Sequence, residues 1–309
     1  MSMAMFCHPL HGVVCRPWSN STPLRYELEL TESNNFVPQG PVIWEGRQDE
    51  KRFNTNLKLH KNNNEYSLAI NCQGSGVFKL NNNKFEISWR SEGTQASHYF
   101  QSMGLALWLE LQGVICLHGN ALTKNNRTIV LLAPSGTGKS TLSSWLMQQG
   151  YQLMSDDMVA LHKTEKGNGY RLFPSWPVMR LWPDSINTTL NSNEQHEKVH
   201  ANFDKKVISV QPNNENFKSK LLTDIIILNR QDTPKTKNKN NIDVRSLNGS
   251  AAVMALLKNT ILGEVYRPLN IEAERLTGLA QVAQKVQISE LTYPSGIQGL
   301  QAIAGWLDK

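Results

Sequence analysis

The residues most able to do chemistry stand together in Ala133-Pro134-Ser135-Gly136-Thr137-Gly138-Lys139-Ser140-Thr141. Two glycines let a turn aim successive backbone N–H groups inward, and a helix starting at its end adds partial positive charge, which suits phosphate oxygens. Lys139 would reach the β- and γ-phosphates of a nucleotide, and the Ser140 hydroxyl would ligate a metal. Ser135, Gly136, Thr137, Gly138 and Thr141 complete the expected nucleotide-binding set. The pattern G-x-x-x-x-G-K-[ST] is broken at its first position by Ala133. A methyl is tolerable there if the residue ends a strand in an extended conformation, toward which Pro134 biases it.

Further along stand Asp156 and Asp157, and upstream His118 precedes Gly119-Asn120. Adjacent carboxylates near Mg²⁺ can divide the work, one holding the metal while the other takes a proton from an attacking hydroxyl. A histidine at a strand end serves its neighbours' backbone or the chemistry.

These residues need elements to hold them. The run 128–132 reads as a strand entering the loop, and 139–149 as a helix leaving it with Leu142, Trp145 and Leu146 on one side. A strand over 114–118 joins 128–132 through a polar turn, and the strand 151–161 carries the acids, expected beside the loop's own strand. Residues 97–111 have helical spacing, and a hairpin is expected at 166–169. A buried strand is read at 222–228, with polar loops at 187–202 and 231–241. The last sixty residues alternate helices (250–262, 271–286, 296–307) with a strand at 288–292.

Before residue 97 the pattern is different. Short alternating strands (25–30, 67–70, 84–89) are separated by Asn62-Asn63-Asn64, Gly74-Ser75-Gly76 and Asn81-Asn82-Asn83. The chain therefore divides into a mainly antiparallel β module over 1–96 and an α/β domain over 97–309.

The chain has 309 residues, 39% hydrophobic and 19% charged, which excludes a disordered chain and a membrane protein. Its net charge of +6 is spread over many segments, so no specific nucleic-acid partner is expected, whereas anionic nucleotides are compatible. Cys7, Cys15, Cys72 and Cys116 form no C-x-x-C pair and read as reduced thiols. With no secretory pattern at the start, and residues 103–117 interrupted by Glu110 and Gln112, a cytoplasmic protein without membrane contact is expected.

The succession Leu117-His118-Gly119-Asn120-Ala121, the loop 133–140, Gly150-Tyr151 and Ser155-Asp156-Asp157 resembles the catalytic domain of the HPr serine kinase family. It is similar in particular to HPr-kinase-related proteins of bacterial biosynthetic clusters, in which Arg180-Leu181-Trp182-Pro183 has a counterpart. The resemblance covers 113–184 well and the remaining C-terminal part loosely. It implies a P-loop kinase fold of the HPr kinase/phosphoenolpyruvate carboxykinase type, and ATP- and Mg²⁺-dependent phosphorylation of a hydroxyl. By matched position Asp156 would be the general base, Asp157 would help hold Mg²⁺, and His118 would sit against the base and orient it. The glycine- and isoleucine-rich signature of bifunctional HPr kinase/phosphorylases is replaced by Phe173-Pro174-Ser175-Trp176-Pro177, and the β module does not look like their regulatory domain. The acceptor thus stays open among a protein serine, a peptide serine or threonine, and a small-molecule hydroxyl. The founding family forms hexamers, so a homo-oligomer is one option.

Positive charge for the transition state could come from Arg180, Lys205, Lys206 or Arg267. Two other readings compete. Asn229-Arg230-Gln231-Asp232 imitates the N-[KR]-x-D element that reads guanine in GTPases, and a protein that merely holds ATP for regulation would share the loop.

Overall fold

The computed structural model describes residues 8–17, 19, 25–49, 54–72, 74–92, 94–190, 196–200, 203–210, 218–231 and 242–308. Among these residues it is a mixed α/β fold with three sheets. Cys7, Asp232 and nearly all of the polar loop expected at 231–241 lie outside the described residues.

Seven strands open the chain: β1 (Val13–Arg16), β2 (Tyr26–Glu32), β3 (Val42–Asp49), β4 (Asn54–Asn62), β5 (Glu65–Cys72), β6 (Gly74–Asn81) and β7 (Lys84–Ser91). They form one sheet in the order β1-β2-β7-β6-β5-β4-β3, parallel at β1/β2 and β2/β7 and antiparallel elsewhere. Alternation sets its buried face: Leu57 and Leu59, Leu68 and Ile70, and Phe78 and Leu80 turn inward. Gly74-Ser75-Gly76, expected as a separator, lies inside β6. There Gly76 passes under Trp89, and a Cβ would meet the Ser88 carbonyl oxygen at 2.2 Å.

The helix expected over 97–111 comes in three parts. α1 (Ala96–Tyr99) leads into a π-helical turn, Phe100–Gly104, and α2 (Leu105–Leu111) follows. This segment packs under the first sheet, where Phe100 meets Phe85 edge-on at 4.9 Å and Trp108 Nε1 donates to the Asn82 carbonyl at 2.8 Å. Its far side shares the same core with Cys116, Met158, Ala160 and Tyr266, so the first sheet and the α/β part are packed together.

Next come β8 (Ile115–Lys124), β9 (Arg127–Leu132), α3 (Lys139–Gln148), β10 (Gln152–Ser155), β11 (Met158–Lys163) and β12 (Tyr170–Leu172). A smaller region follows with β13 (Val178–Leu181), α4 (Pro183–Thr189), β14 (Lys198–His200) and β15 (Phe203–Ser209). Its three strands form a sheet of order β13-β15-β14, so part of the loop expected at 187–202 is helix and strand. The chain ends with β16 (Lys220–Leu221), β17 (Asp224–Gln231), β18 (Asp243–Ser246), α5 (Gly249–Leu257), α6 (Glu272–Lys285), β19 (Gln287–Pro294) and α7 (Ile297–Leu307).

The central nine-stranded sheet runs β16-β12-β11-β8-β9-β17-β19-β18, with β10 also paired to β8. β17 is flanked by parallel neighbours β9 and β19, and burial on both faces is why β9 and the first half of β17 read as continuous apolar runs. Ile129 and Leu131 face a core with Leu142 of α3 and Ile303 of α7, whereas Val130 and Leu132 face Leu256 of α5 and Leu279 of α6. The acidic strand does not adjoin β9 as expected, because β8 lies between them. Among the described residues no helix is long and apolar enough to cross a membrane, and Cys15, Cys72 and Cys116 are free thiols.

Candidate functional site

β9 stops at Leu132, and Ala133 continues into the core beside α3, so its methyl is packed rather than aimed at the loop's hollow. Gly136 and Gly138 have φ of 81° and 102°, left-handed conformations that a side chain rarely adopts. Gly138 is the N-terminal cap of α3, and the Leu142 N–H donates to its carbonyl at 2.9 Å. Tyr293, at the end of β19, donates its hydroxyl to the Thr137 carbonyl at 3.1 Å, and a Cβ at Gly138 would lie 3.6 Å from Arg230 Nη1.

Lys139 turns back over this loop. Its Nζ donates to the Ala133 carbonyl at 2.5 Å and lies 3.2 Å from His118 Nε2. His118 Nδ1 is 2.9 Å from the Asp157 backbone carbonyl. A carbonyl can only accept, so Nδ1 carries the proton and Nε2 receives the Lys139 ammonium. Burial, reinforced by the Lys139 charge, keeps His118 below its ordinary pKa and therefore neutral. Burial also lowers Lys139, with Asp157 and Asp156 opposing.

The expected strand over 151–161 is broken where the acids sit. β10 and β11 pair with different halves of β8, and between them Asp157 takes φ 66°. Aspartate tolerates that region better than most residues. The Gly119 N–H donates to the Asp157 carbonyl at 3.2 Å, and the Asp157 N–H to Asn120 Oδ1 at 3.3 Å, so the His118-Gly119-Asn120 segment holds the kink from below. Asn120 is fixed in turn by donating to Ser143 Oγ of α3 at 3.0 Å.

Both carboxylates then meet the loop. Ser140 Oγ donates to Asp156 Oδ1 at 3.4 Å, and the Arg180 N–H donates to Asp156 Oδ2 at 2.9 Å. The Arg180 guanidinium donates to Asp157 Oδ2 at 2.8 Å and to Gln101 Oε1 at 2.6 Å. Burial and then the neighbouring Asp157 push the Asp156 carboxyl up to about 7, against Lys205 and Arg180. Burial also pushes at Asp157, but the charges of Lys205 and Arg180 outweigh it and hold that carboxyl well below the usual range. Two adjacent acids are thus driven apart, one poised to exchange a proton near neutral pH and one kept ionised.

No family model matches the chain, and no curated protein matches it. Among solved structures it is similar to the HPr(Ser) kinase/phosphatase from Coxiella burnetii, at 13% identity and a TM-score of 0.34, over 62% of this chain and 88% of that one. A likeness that loose assigns neither family nor activity.

The other expected residues fall in different places. Arg180 pairs with Val207 across β13 and β15, so Lys205, two residues on, shares its face and acts on both acids, on Lys139 and on His118. Lys206 pairs with Leu181 on the opposite face and exerts its charge on Asp204 instead. Arg267 is exposed on the turn after Gly263–Val265 and makes no hydrogen bond or ion pair with the site among the described residues. His118 is bonded to the backbone of Asp157 and to Lys139, not to the Asp156 carboxylate against which it was expected. Thr141 meets Ser185 of α4 at 2.7 Å.

Sequence reading missed Gln101, Tyr293 and a role for Arg230 at the loop. Gln101 belongs to no motif and reaches Arg180 through the π-helical turn. Arg230 and Tyr293 are register partners on β17 and β19, a pairing that spacing along the chain does not reveal.

Proposed function

We propose that this chain is a kinase that transfers the γ-phosphoryl group of ATP to a hydroxyl, with Mg²⁺ as cofactor and Asp156 as general base. The observation that carries this reading is the convergence of Lys139, Ser140, Asp156, Asp157 and Arg180 at the mouth of a glycine-bent loop that opens a helix. Such a loop is a phosphate-binding cradle, and carboxylates of opposed acidity beside it supply the two remaining needs of phosphoryl transfer.

The residues fit magnesium in the way this ion is usually held, by one or two carboxylates and a hydroxyl together with substrate phosphates, rather than by an all-protein cage. Asp157, kept ionised, and Ser140 would hold it, and when bound it neutralises charge on the phosphate oxygens. The acceptor oxygen bonds to the γ-phosphorus as the bond to the β,γ-bridging oxygen breaks. ADP departs, and the hydroxyl proton passes to Asp156. Arg180 and Lys205 offset the charge spreading over the transferred group.

A protein that only holds ATP has no use for a carboxyl raised to about 7 beside the cradle. The test is labelled ATP with Mg²⁺ and candidate acceptors from the genomic neighbourhood. Asp156→Asn is expected to keep nucleotide binding and lose transfer, whereas Lys139→Ala weakens binding about 10- to 100-fold. Equal turnover by Asp156→Asn and the parent protein would remove that residue from the mechanism.

A further inference from the structure

Lys139 and Arg230 stand at opposite ends of the glycine-bent loop. The Lys139 ammonium turns back over the loop's first residues, where it meets the Ala133 and Pro134 carbonyls. At the helix start, a Cβ on Gly138 would lie 3.6 Å from Arg230 Nη1 and 3.4 Å from the Tyr293 hydroxyl. In such a loop the lysine reaches the β,γ end of a nucleotide, while backbone N–H groups cradle the α and β phosphates and the helix start favours their charge. Arg230 therefore stands at the nucleoside side of the cradle, the end that Lys139 does not serve.

The fold fixes this end. Arg230 and Tyr293 are register partners at the carboxyl ends of the parallel strands β17 and β19, the edge at which open α/β sheets bind ligands. Strand alternation turns both toward the face of α3 and α7, because Ile226, Leu228 and Leu291 face the core there. The Ser295 N–H donates to the Gln231 carbonyl at 3.0 Å, tying the two strand ends together. The Tyr293 ring is buried, and α7 crosses it so closely that a Cβ at Gly299 would lie 3.3 Å from its Cδ2. Arg230, by contrast, is exposed. Asn229 falls on the other face, with its Nδ2 3.5 Å from Thr292 Oγ1. The run that imitates a guanine-reading element thus brings its arginine, and not its asparagine, to the loop.

Tyr293 donates its hydroxyl to the Thr137 carbonyl at 3.1 Å. In a trans peptide the carbonyl and the following N–H point opposite ways, so this bond turns the Gly138 N–H away from Tyr293. Resting on the nucleotide-binding part of the reading above, we propose that Arg230 and Tyr293 are the nucleoside-side wall of the nucleotide site. Arg230 binds the α,β-phosphates of a nucleoside di- or triphosphate, for which a guanidinium offers two parallel N–H groups. Tyr293 is a positioning residue that aims the Gly138 N–H at the same phosphates. The wall holds ADP and ATP alike, because it does not reach the γ-phosphate.

The experiment uses the full chain and direct binding of fluorescent ADP and ATP analogues. Arg230→Gln, at an exposed position, is expected to weaken both by the same factor, about tenfold or more. In about 1 M salt that factor is expected to shrink, because an exposed contact between charge and phosphate is screened. Tyr293→Phe keeps the buried ring and loses only the hydroxyl. It is expected to weaken both analogues roughly three- to tenfold, and to shift the Gly138 amide resonance of glycine-labelled protein before any nucleotide is added. Arg245→Gln, on β18, serves as the control and is expected to leave both affinities as they are. Wild-type affinity for the ADP analogue in Arg230→Gln, a loss confined to the ATP analogue, or a loss untouched by salt would each overturn the role of Arg230. Unchanged affinity or an unmoved Gly138 amide in Tyr293→Phe would overturn that of Tyr293. Absence of binding of either analogue by the wild-type chain itself would instead sink the kinase reading.

Discussion

At the scale of single residues, two acids that stand next to each other in the chain are driven to opposite acidities. Burial and the charge of Asp157 raise Asp156, while Lys205 and the Arg180 guanidinium hold Asp157 down. A base must be unprotonated to accept the hydroxyl proton. The rate of transfer at saturating nucleotide is therefore expected to rise with pH through about 7 as Asp156 ionises, and to level off above it. A rate profile flat from pH 5.5 to 8.5 would contradict the role given to Asp156. Lys205 shares the face of Arg180, so Lys205→Ala should slow transfer, while Lys206→Ala on the opposite face should not.

At the scale of elements, the π-helical turn at Phe100–Gly104 places Gln101 where its carbonyl receives Arg180, and such turns are often found at functional sites. Gln101→Leu is expected to lower the transfer rate roughly 10- to 100-fold without changing nucleotide affinity, since a hydrogen bond to a charged group is lost. Gln101→Glu, which keeps an accepting oxygen, should recover most of that loss. Behind the same segment, α2 is tied to α6 by a buried ion pair between Glu110 and Arg275. Glu110 also accepts from Tyr266 at 2.9 Å and from the Cys116 N–H at 2.8 Å. Removing one partner leaves a buried charge unpaired, so Glu110→Ala should cost about 3–5 kcal/mol in urea unfolding.

At the scale of the whole molecule, stability depends on pH through groups that folding forces into one protonation state. His11 and His162 are buried, and burial lowers each to about 3. Their unfolded pKa is about 6.5, so between these values the unfolded chain binds more protons and stability falls as pH falls, by roughly 1.4 kcal/mol per pH unit for each. Asp156 acts with the opposite sign. Raised to about 7, it contributes stability that is complete below about 4 and lost as pH rises through 7. It offsets about one histidine, leaving a net loss on acidification from about pH 6.5 to 4. Urea unfolding across that range is expected to show the loss, and His162→Phe, whose ring would keep the contacts with Phe173 and Tyr26, should flatten it by about one proton.

The loop 133–141 and the helix after it could be read from the chain because their chemistry is local: two glycines, a lysine and a hydroxyl act through neighbouring backbone groups. The alternating strands of the first hundred residues and the apolar runs of β9 and β17 were legible for the same reason, since periodicity records which faces are buried. The acidic pair was visible as residues, but not its kink, because a left-handed aspartate is set by the hydrogen bonds of Gly119 and Asn120 across β8. Only the tertiary structure put β8 between the strands flanking the acids and the strand that enters the loop, set Lys205 rather than Lys206 or Arg267 on the face of Arg180, and brought Gln101 and Tyr293 to the site. Contacts between residues far apart in the chain follow from how sheets and helices pack, and no short stretch of sequence contains that information.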